Sequence, residues 1–307
     1  MLGAASANQE AHPKGVHRVQ KLPAAHLGRL WESIFVEETL KARLLSQAVL
    51  NFTVRGRVAP TVLPLHGILL LVGPPGTGKT SLARGLAHRT AASFGQDAGF
   101  SLIEIEPHQL ASSAMGRTQR AVSELFSQTI RELAADRPTV VLLDEVETLA
   151  VDRSRLSMEA NPIDVHRATD AVLVQLDLLA ESNPNLLFVA TSNFPQALDE
   201  AFTSRCDLVA EVPLPDAEGC RRILEDCLRG LGRTYPAIGR LPDAQDFADC
   251  TAACVGLDGR AIRKLVANAL ASSPQTAMDP ARVTLDDVRR SAEMAKQVRG
   301  RGRSGGA

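Results

Sequence analysis

The chain has 307 residues, 45% hydrophobic and 22% charged, with a formal net charge of -1. This composition excludes a disordered polymer and suits a soluble globular protein with room for two compact domains, or one domain with a lid. The near-neutral balance disfavours a dominant electrostatic grip on nucleic acid. No apolar run is long enough for a membrane span; the longest, around Leu63–Val72, contains Pro64 and His66.

From the N-terminus, residues 1–24 are rich in Ala, Gly, His and Pro without periodicity and read as a flexible arm. Met1–Gln20 has no apolar core of a secretion signal, so a cytoplasmic location is expected. The five cysteines, Cys206, Cys220, Cys227, Cys250 and Cys254, are then expected as reduced thiols, and no Cys-x-x-Cys pair or nearby His completes a metal set. Between Leu27 and Phe52, Leu30, Ile34, Leu40, Leu44 and Val49 share one stripe and predict helix. Five apolar runs then read as strands: Ile68–Val72, Leu102–Ile105, Thr139–Leu143, Leu186–Ala190 and Leu208–Val212. Helical segments near Thr80–Ala92, Thr118–Ala134 and His166–Leu179 alternate with them. Near-continuous apolar strands separated by helices predict an α/β fold with a five-stranded parallel sheet covered on both faces. Pro213 and Pro215 close the last strand, and Ala217–Leu231, Asp243–Ala252, Asp258–Ala271 and Leu285–Gln297 all read as helix. The expected division is a large α/β subdomain over 25–214, an all-helical lid over 215–298 and a flexible basic tail over 299–307.

The most specific chemistry lies in Gly73-Pro74-Pro75-Gly76-Thr77-Gly78-Lys79-Thr80-Ser81. It fits G-x-x-x-x-G-K-[ST] and sits between an apolar strand and a helix. Glycines let backbone N–H groups close around phosphate oxygens, and the helix N-terminus adds a positive dipole end. Lys79 would reach the β- and γ-phosphates of ATP, and the Thr80 hydroxyl would coordinate Mg2+.

Val140-Val141-Leu142-Leu143-Asp144-Glu145 is a buried strand ending in two carboxylates. Asp144 is placed to hold Mg2+, and Glu145, pointing another way, to polarise the attacking water. The next strand ends in Thr191-Ser192-Asn193; Asn193 would orient the same water or contact the γ-phosphate, although Thr-Ser-Asn also marks ordinary turns. Arg205 either projects into a neighbouring protomer's ATP site as an arginine finger or is a surface cation paired with Asp199 or Asp207. Asp258 is a candidate N-cap for a lid helix, with Arg260 in its first turn able to reach the γ-phosphate and Arg263 as the alternative.

In this order the motifs resemble those of the AAA+ ATPases. Gly73–Ser81, Asp144-Glu145-Val146-Glu147-Thr148-Leu149, the stretch Arg167–Asp177, Ala201-Phe202-Thr203-Ser204-Arg205-Cys206-Asp207 and Gly256–Leu265 are similar to the pachytene-checkpoint family of HORMA-domain remodellers, particularly its compact bacterial members in cyclic-oligonucleotide antiphage (CBASS) systems. The resemblance implies a P-loop core with a helical lid and a homohexamer that hydrolyses ATP with Mg2+. It implies a HORMA-domain client, with a nucleotidyltransferase in the same system, engaged in a central pore. It also implies Asn193 as first sensor, Arg205 as finger, Arg260 as second sensor, and Trp31–Phe35 near the adenine. The family's first pore loop matches Ser113-Ala114-Met115-Gly116-Arg117. Ala114 stands where an aromatic is expected, leaving flexible Met115 to grip and Gly116 to keep the spacing. A second long polar loop runs from Asp152 to Asp164. The other readings are a different AAA+ unfoldase or activase, and a scaffold whose assembly is gated by nucleotide.

Overall fold

The computed structural model describes residues 13–106, 117–148 and 162–304. The chain divides into two compact units. The first draws on residues 1–25, 44–71 and 86–210, the second on 26–43, 72–85 and 211–307. Residues 26–43 and 72–85, the latter holding the phosphate loop, fall in the second unit with the C-terminal helices.

In chain order the elements begin with β1 (Val16–Lys21), α1 (Ala25–Ser33), α2 (Glu38–Val54), β2 (Ile68–Val72), α3 (Lys79–Ser93) and β3 (Ser101–Ile105). Next come α4 (Arg117–Glu124), a π-helical segment (Leu125–Ile130), α5 (Arg131–Leu133), β4 (Thr139–Leu143), α6 (Pro162–Ser182), β5 (Leu186–Ser192), α7 (Glu200–Thr203) and β6 (Leu208–Glu211). The sheet order is β1-β3-β4-β5-β2-β6. β3 pairs with β4 and β4 with β5 in parallel, the latter in the register Thr139↔Leu186 to Leu143↔Ala190. Every residue of β2, β3, β4 and β5 is buried, which explains their mostly apolar sequences; Ser101 and Glu104 of β3 and Thr191 and Ser192 of β5 are buried polar exceptions. Phe126 of the π segment stacks on Phe188 of β5 at 6.0 Å between ring centroids, tying one covering layer to the sheet.

The sheet has six strands, not the expected five. The stretch read as a flexible arm contains β1, which pairs antiparallel with β3 from Val16↔Ile105 to Lys21↔Ser101. Its sequence, Val-His-Arg-Val-Gln-Lys, has too few apolar positions to signal a strand. Charged residues suit an edge, where backbone pairing rather than side-chain burial holds the strand. The helix predicted over 27–52 is likewise broken between Ser33 and Glu38. In this break Phe35 packs against the core of the second unit.

That core belongs to the remaining helices: α8 (Ala217–Gly232), α9 (Pro236–Gly239), α10 (Phe247–Cys254), α11 (Gly259–Leu270), α12 (Pro274–Met278) and α13 (Leu285–Ser304). Leu224, Leu228, Leu257, Ile262, Val288 and Ala292 are fully buried there. Side chains fix the helix starts: Asp216 accepts from the Gly219 amide at 2.7 Å, and Ser273 and Thr276 form a capping box on α12. The expected basic tail is helical as far as Ser304, since α13, once nucleated, extends through isolated glycines at modest cost. Among the described residues no helix is long and apolar enough to cross a membrane.

Candidate functional site

Within the second unit the phosphate loop is a tight cradle. Gly76 (φ = 84°) and Gly78 (φ = 93°) have left-handed backbones. A Cβ on Gly76 would lie 2.2 Å from Asp258 Oδ1, and one on Gly78 would lie 2.5 Å from Ile34 Cδ1. Only glycine meets both demands, conformation and space. The loop is braced from inside: the Thr77 hydroxyl donates to the Pro74 carbonyl at 3.0 Å, and Lys79 Nζ donates to the carbonyls of Gly73 and Pro74 at 2.8 and 2.9 Å. Thr80 and Ser81 follow in the first turn of α3, where the positive end of the helix dipole favours an anion.

A cavity of about 250 Å3 opens on this loop. Ser33, Ile34 and Phe35 line it, opposite Arg260 and Arg263 of α11. α11 is capped at its start and tied to the loop. Asp258 caps it, accepting from the Ala261 amide at 2.8 Å, and the Arg260 amide donates to the Gly76 carbonyl at 3.2 Å. Of the two candidate arginines, Arg263 is engaged, donating to Asp226 and to the Ser33 carbonyl, both at 3.1 Å. Arg260 is exposed. Thus Ser33–Phe35, which the resemblance placed near the adenine, share a cavity with Gly76, Thr77, Gly78, Ser81 and Arg260.

The first unit holds the acidic end of β4. Glu145 alone among the described non-glycine residues has positive φ, 55°, an uncommon backbone state for such a side chain. Asn193 Nδ2 donates to Glu145 Oε1 at 3.2 Å, and the Asn193 amide donates to Glu147 Oε1 at 3.1 Å. The Thr191 hydroxyl donates to Asp144 Oδ1 at 2.6 Å and accepts from the Glu145 amide at 3.1 Å. The structure therefore brings together Asp144, Glu145 and Asn193, as the strand-end positions implied, and adds Thr191 and Glu147, which the sequence reading left without roles. The signal for Thr191 was the strand register: one step beyond the paired Leu143 and Ala190 sit Asp144 and Thr191.

Arg205, after α7, does form an ion pair, but with neither expected aspartate. Its Nε and Nη2 donate to Asp177 Oδ1 and Oδ2 at 2.7 and 2.8 Å, and Nη1 donates to the Ala201 carbonyl at 2.6 Å. Hydrogen bonding to Asp177 raises its pKa further. The other two aspartates serve the backbone instead. Asp199 caps α7 through the Ala201 amide, and Asp207 accepts from the amides of His66, Gly67 and Ile68. Asp177 lies on α6, 28 positions before Arg205, too far along the chain for local spacing to reveal. Ala114, Met115, Gly116 and residues 152–161 lie outside the described residues.

A strand-flanked phosphate loop, paired carboxylates and an arginine before the last strand define a P-loop ATPase, and comparison with known proteins agrees. The sequence profile of the ATPase family associated with various cellular activities (AAA) matches residues 69–214. The chain belongs to this family. It is 66% identical over 287 residues to CD-NTase-associated protein 6 of Pseudomonas aeruginosa, with 94% of each chain covered. It is 40% identical over 217 residues to the pachytene checkpoint protein 2 homolog of Oryza sativa subsp. indica, covering 69% of this chain but 45% of that protein. It therefore spans about half the length of that eukaryotic relative. Among solved structures it resembles Caenorhabditis elegans PCH-2 (TM-score 0.69, 26% identity, 94% of this chain and 76% of that one). It also resembles a chain of the E. coli MS115-1 HORMA:CdnC:Trip13 complex (TM-score 0.71, 19% identity, 92% and 97%), a likeness of fold alone.

Proposed function

We propose that this chain is a hexameric, ATP-hydrolysing remodeller that engages a HORMA-domain protein through its central pore and opens or disassembles that protein's complexes within a CD-NTase-associated antiphage system. The 66% identity to CD-NTase-associated protein 6 across nearly the full length of both chains carries the reading. The solved chain of the same fold from a HORMA:CdnC:Trip13 complex supports the partner class, a HORMA protein with an associated nucleotidyltransferase. The cytoplasm is the proposed location.

In this reading Gly73, Pro74, Pro75, Gly76, Thr77, Gly78, Lys79, Thr80 and Ser81 hold the phosphates of ATP. Thr80 and Asp144 would hold Mg2+; a hydroxyl and a carboxylate are the hard oxygen donors that ion takes. Held there, Mg2+ would supply positive charge to offset the negative charge that develops on the phosphates. The Glu145 carboxylate polarises the attacking water, and Asn193, already hydrogen-bonded to it, keeps it aimed. Arg205 acts on the ATP of a neighbouring protomer, and Arg260 reads the γ-phosphate from α11. Ala114, Met115 and Gly116 would grip the client in the pore.

The test pairs phosphate release with client capture. Wild-type protein with ATP and Mg2+ should release phosphate, and Glu145→Gln should bind ATP, stop turnover and co-purify with a HORMA-domain protein. Turnover undiminished in Glu145→Gln would remove its proposed role. ATP-dependent assembly without any phosphate release from wild type would favour a nucleotide-gated scaffold. Capture of unrelated unfolded chains would favour a general unfoldase.

A further inference from the structure

We infer that Thr191 is a positioning residue for hydrolysis, its single hydroxyl setting both the metal-binding and the water-activating carboxylate. The inference rests on the proposed roles of Asp144 and Glu145.

A threonine hydroxyl has one proton to give and two lone pairs to receive. Here the proton goes to Asp144 Oδ1 at 2.6 Å, and a lone pair takes the Glu145 amide at 3.1 Å. Thr191 is 1% exposed, so water is not at hand to replace either bond. The first bond is short and assisted by the carboxylate's charge, and it holds the Asp144 carboxylate in one orientation. The second holds the backbone where Glu145 turns left-handed, a state that persists only when its surroundings impose it. That turn redirects Glu145 away from the line of β4 and towards Asn193. The same strand end thus fixes both carboxylates: Thr191 through Asp144 and the Glu145 amide, Asn193 through the Glu145 side chain. β-Branching at Thr191 restricts χ1, so the hydroxyl stays aimed without further partners.

The experiment uses the full chain with Thr191→Val, which keeps shape and removes the hydroxyl, and Thr191→Ser, which keeps the hydroxyl. Three quantities are read: kcat and KM for ATP, Mn2+ affinity in the presence of ADP by electron paramagnetic resonance, and ADP affinity without divalent ion. For Thr191→Val we expect kcat and Mn2+ affinity to fall about 10- to 100-fold, the usual loss when a group orienting a metal ligand is removed. Divalent-free ADP affinity should stay within about twofold, and Thr191→Ser should restore most of both losses. If Thr191→Val does not fold, Thr191→Ala is read in the same way. Wild-type kcat and Mn2+ affinity without the hydroxyl would overturn the inference, as would equal damage in the Val and Ser variants. A Glu145→Gln variant that still turns over would instead sink the underlying assignment, so the two failures are separable.

Discussion

The Glu145 backbone is the local irregularity that most separates this site from an ordinary strand end. Left-handed φ at a non-glycine residue costs about 1–3 kcal/mol, and here the cost is met where the second carboxylate must leave the strand direction. Glu145→Gln keeps the shape and the Asn193 contact but removes the charge that would draw a proton from water. Loss of a general base of this kind costs about 100- to 10,000-fold in kcat, with ATP affinity little changed by equilibrium binding. Arg205 makes a contrasting case. Its bidentate pair with Asp177 has good geometry, but the side chains are 26% and 41% exposed. Solvent screening then limits the pair to about 0–1 kcal/mol of stability. Urea denaturation of Asp177→Ala should shift by no more than that. Arg205→Ala should leave each protomer folded while lowering turnover; in mixed assemblies, activity should fall with the fraction of mutant subunits, as expected for a group that serves a neighbour.

The element scale is where the joint between α11 and the phosphate loop becomes testable. Gly76→Ala puts a methyl 2.2 Å from Asp258 Oδ1 at a backbone angle alanine avoids. Nucleotide binding should be lost in isothermal titration, and the protein should melt earlier. Asp258→Ala removes the N-cap of α11, worth about 1 kcal/mol, and should weaken ATP binding less than Gly76→Ala does, because the loop itself survives. Much of this was legible beforehand. β2 and β4 fall at their predicted bounds, since a fully buried strand writes itself as an unbroken apolar run. The phosphate loop and the Asp144–Glu145 pair were readable because their chemistry fixes residue types at fixed spacing. β1 was not readable, because an edge strand is held by backbone pairing and its side chains carry little signal. Nor were the partners of Arg205 and Asp144, because Asp177 and Thr191 lie 28 and 47 positions away. Such contacts are decided by which strands and helices become neighbours, not by local sequence.

At the scale of the whole chain, all five cysteines are free. Burial pushes the Cys254 thiol up to about 12, the Cys250 thiol up to about 11 and the Cys206 thiol up to about 12. Each stays protonated in the folded protein through a range where an unfolded chain, with thiols near 9.0, would ionise. The folded state therefore binds more protons than the unfolded state above that value, and stability must fall as pH rises. Full stability from these groups is expected below about pH 9, with the melting temperature declining from there towards pH 11–12. Native protein should also react slowly with thiol reagents at neutral pH and quickly in denaturant. One more property follows from Trp31, the chain's single tryptophan. It is buried with its backbone against Gly85, the Lys41 ammonium sits 5.5 Å from its ring, and it lies two residues before the Ser33–Phe35 wall of the cavity. The molecule carries its own optical gauge. Indole emission, recorded without any label, should change as ADP is titrated in and give occupancy directly from the native chain.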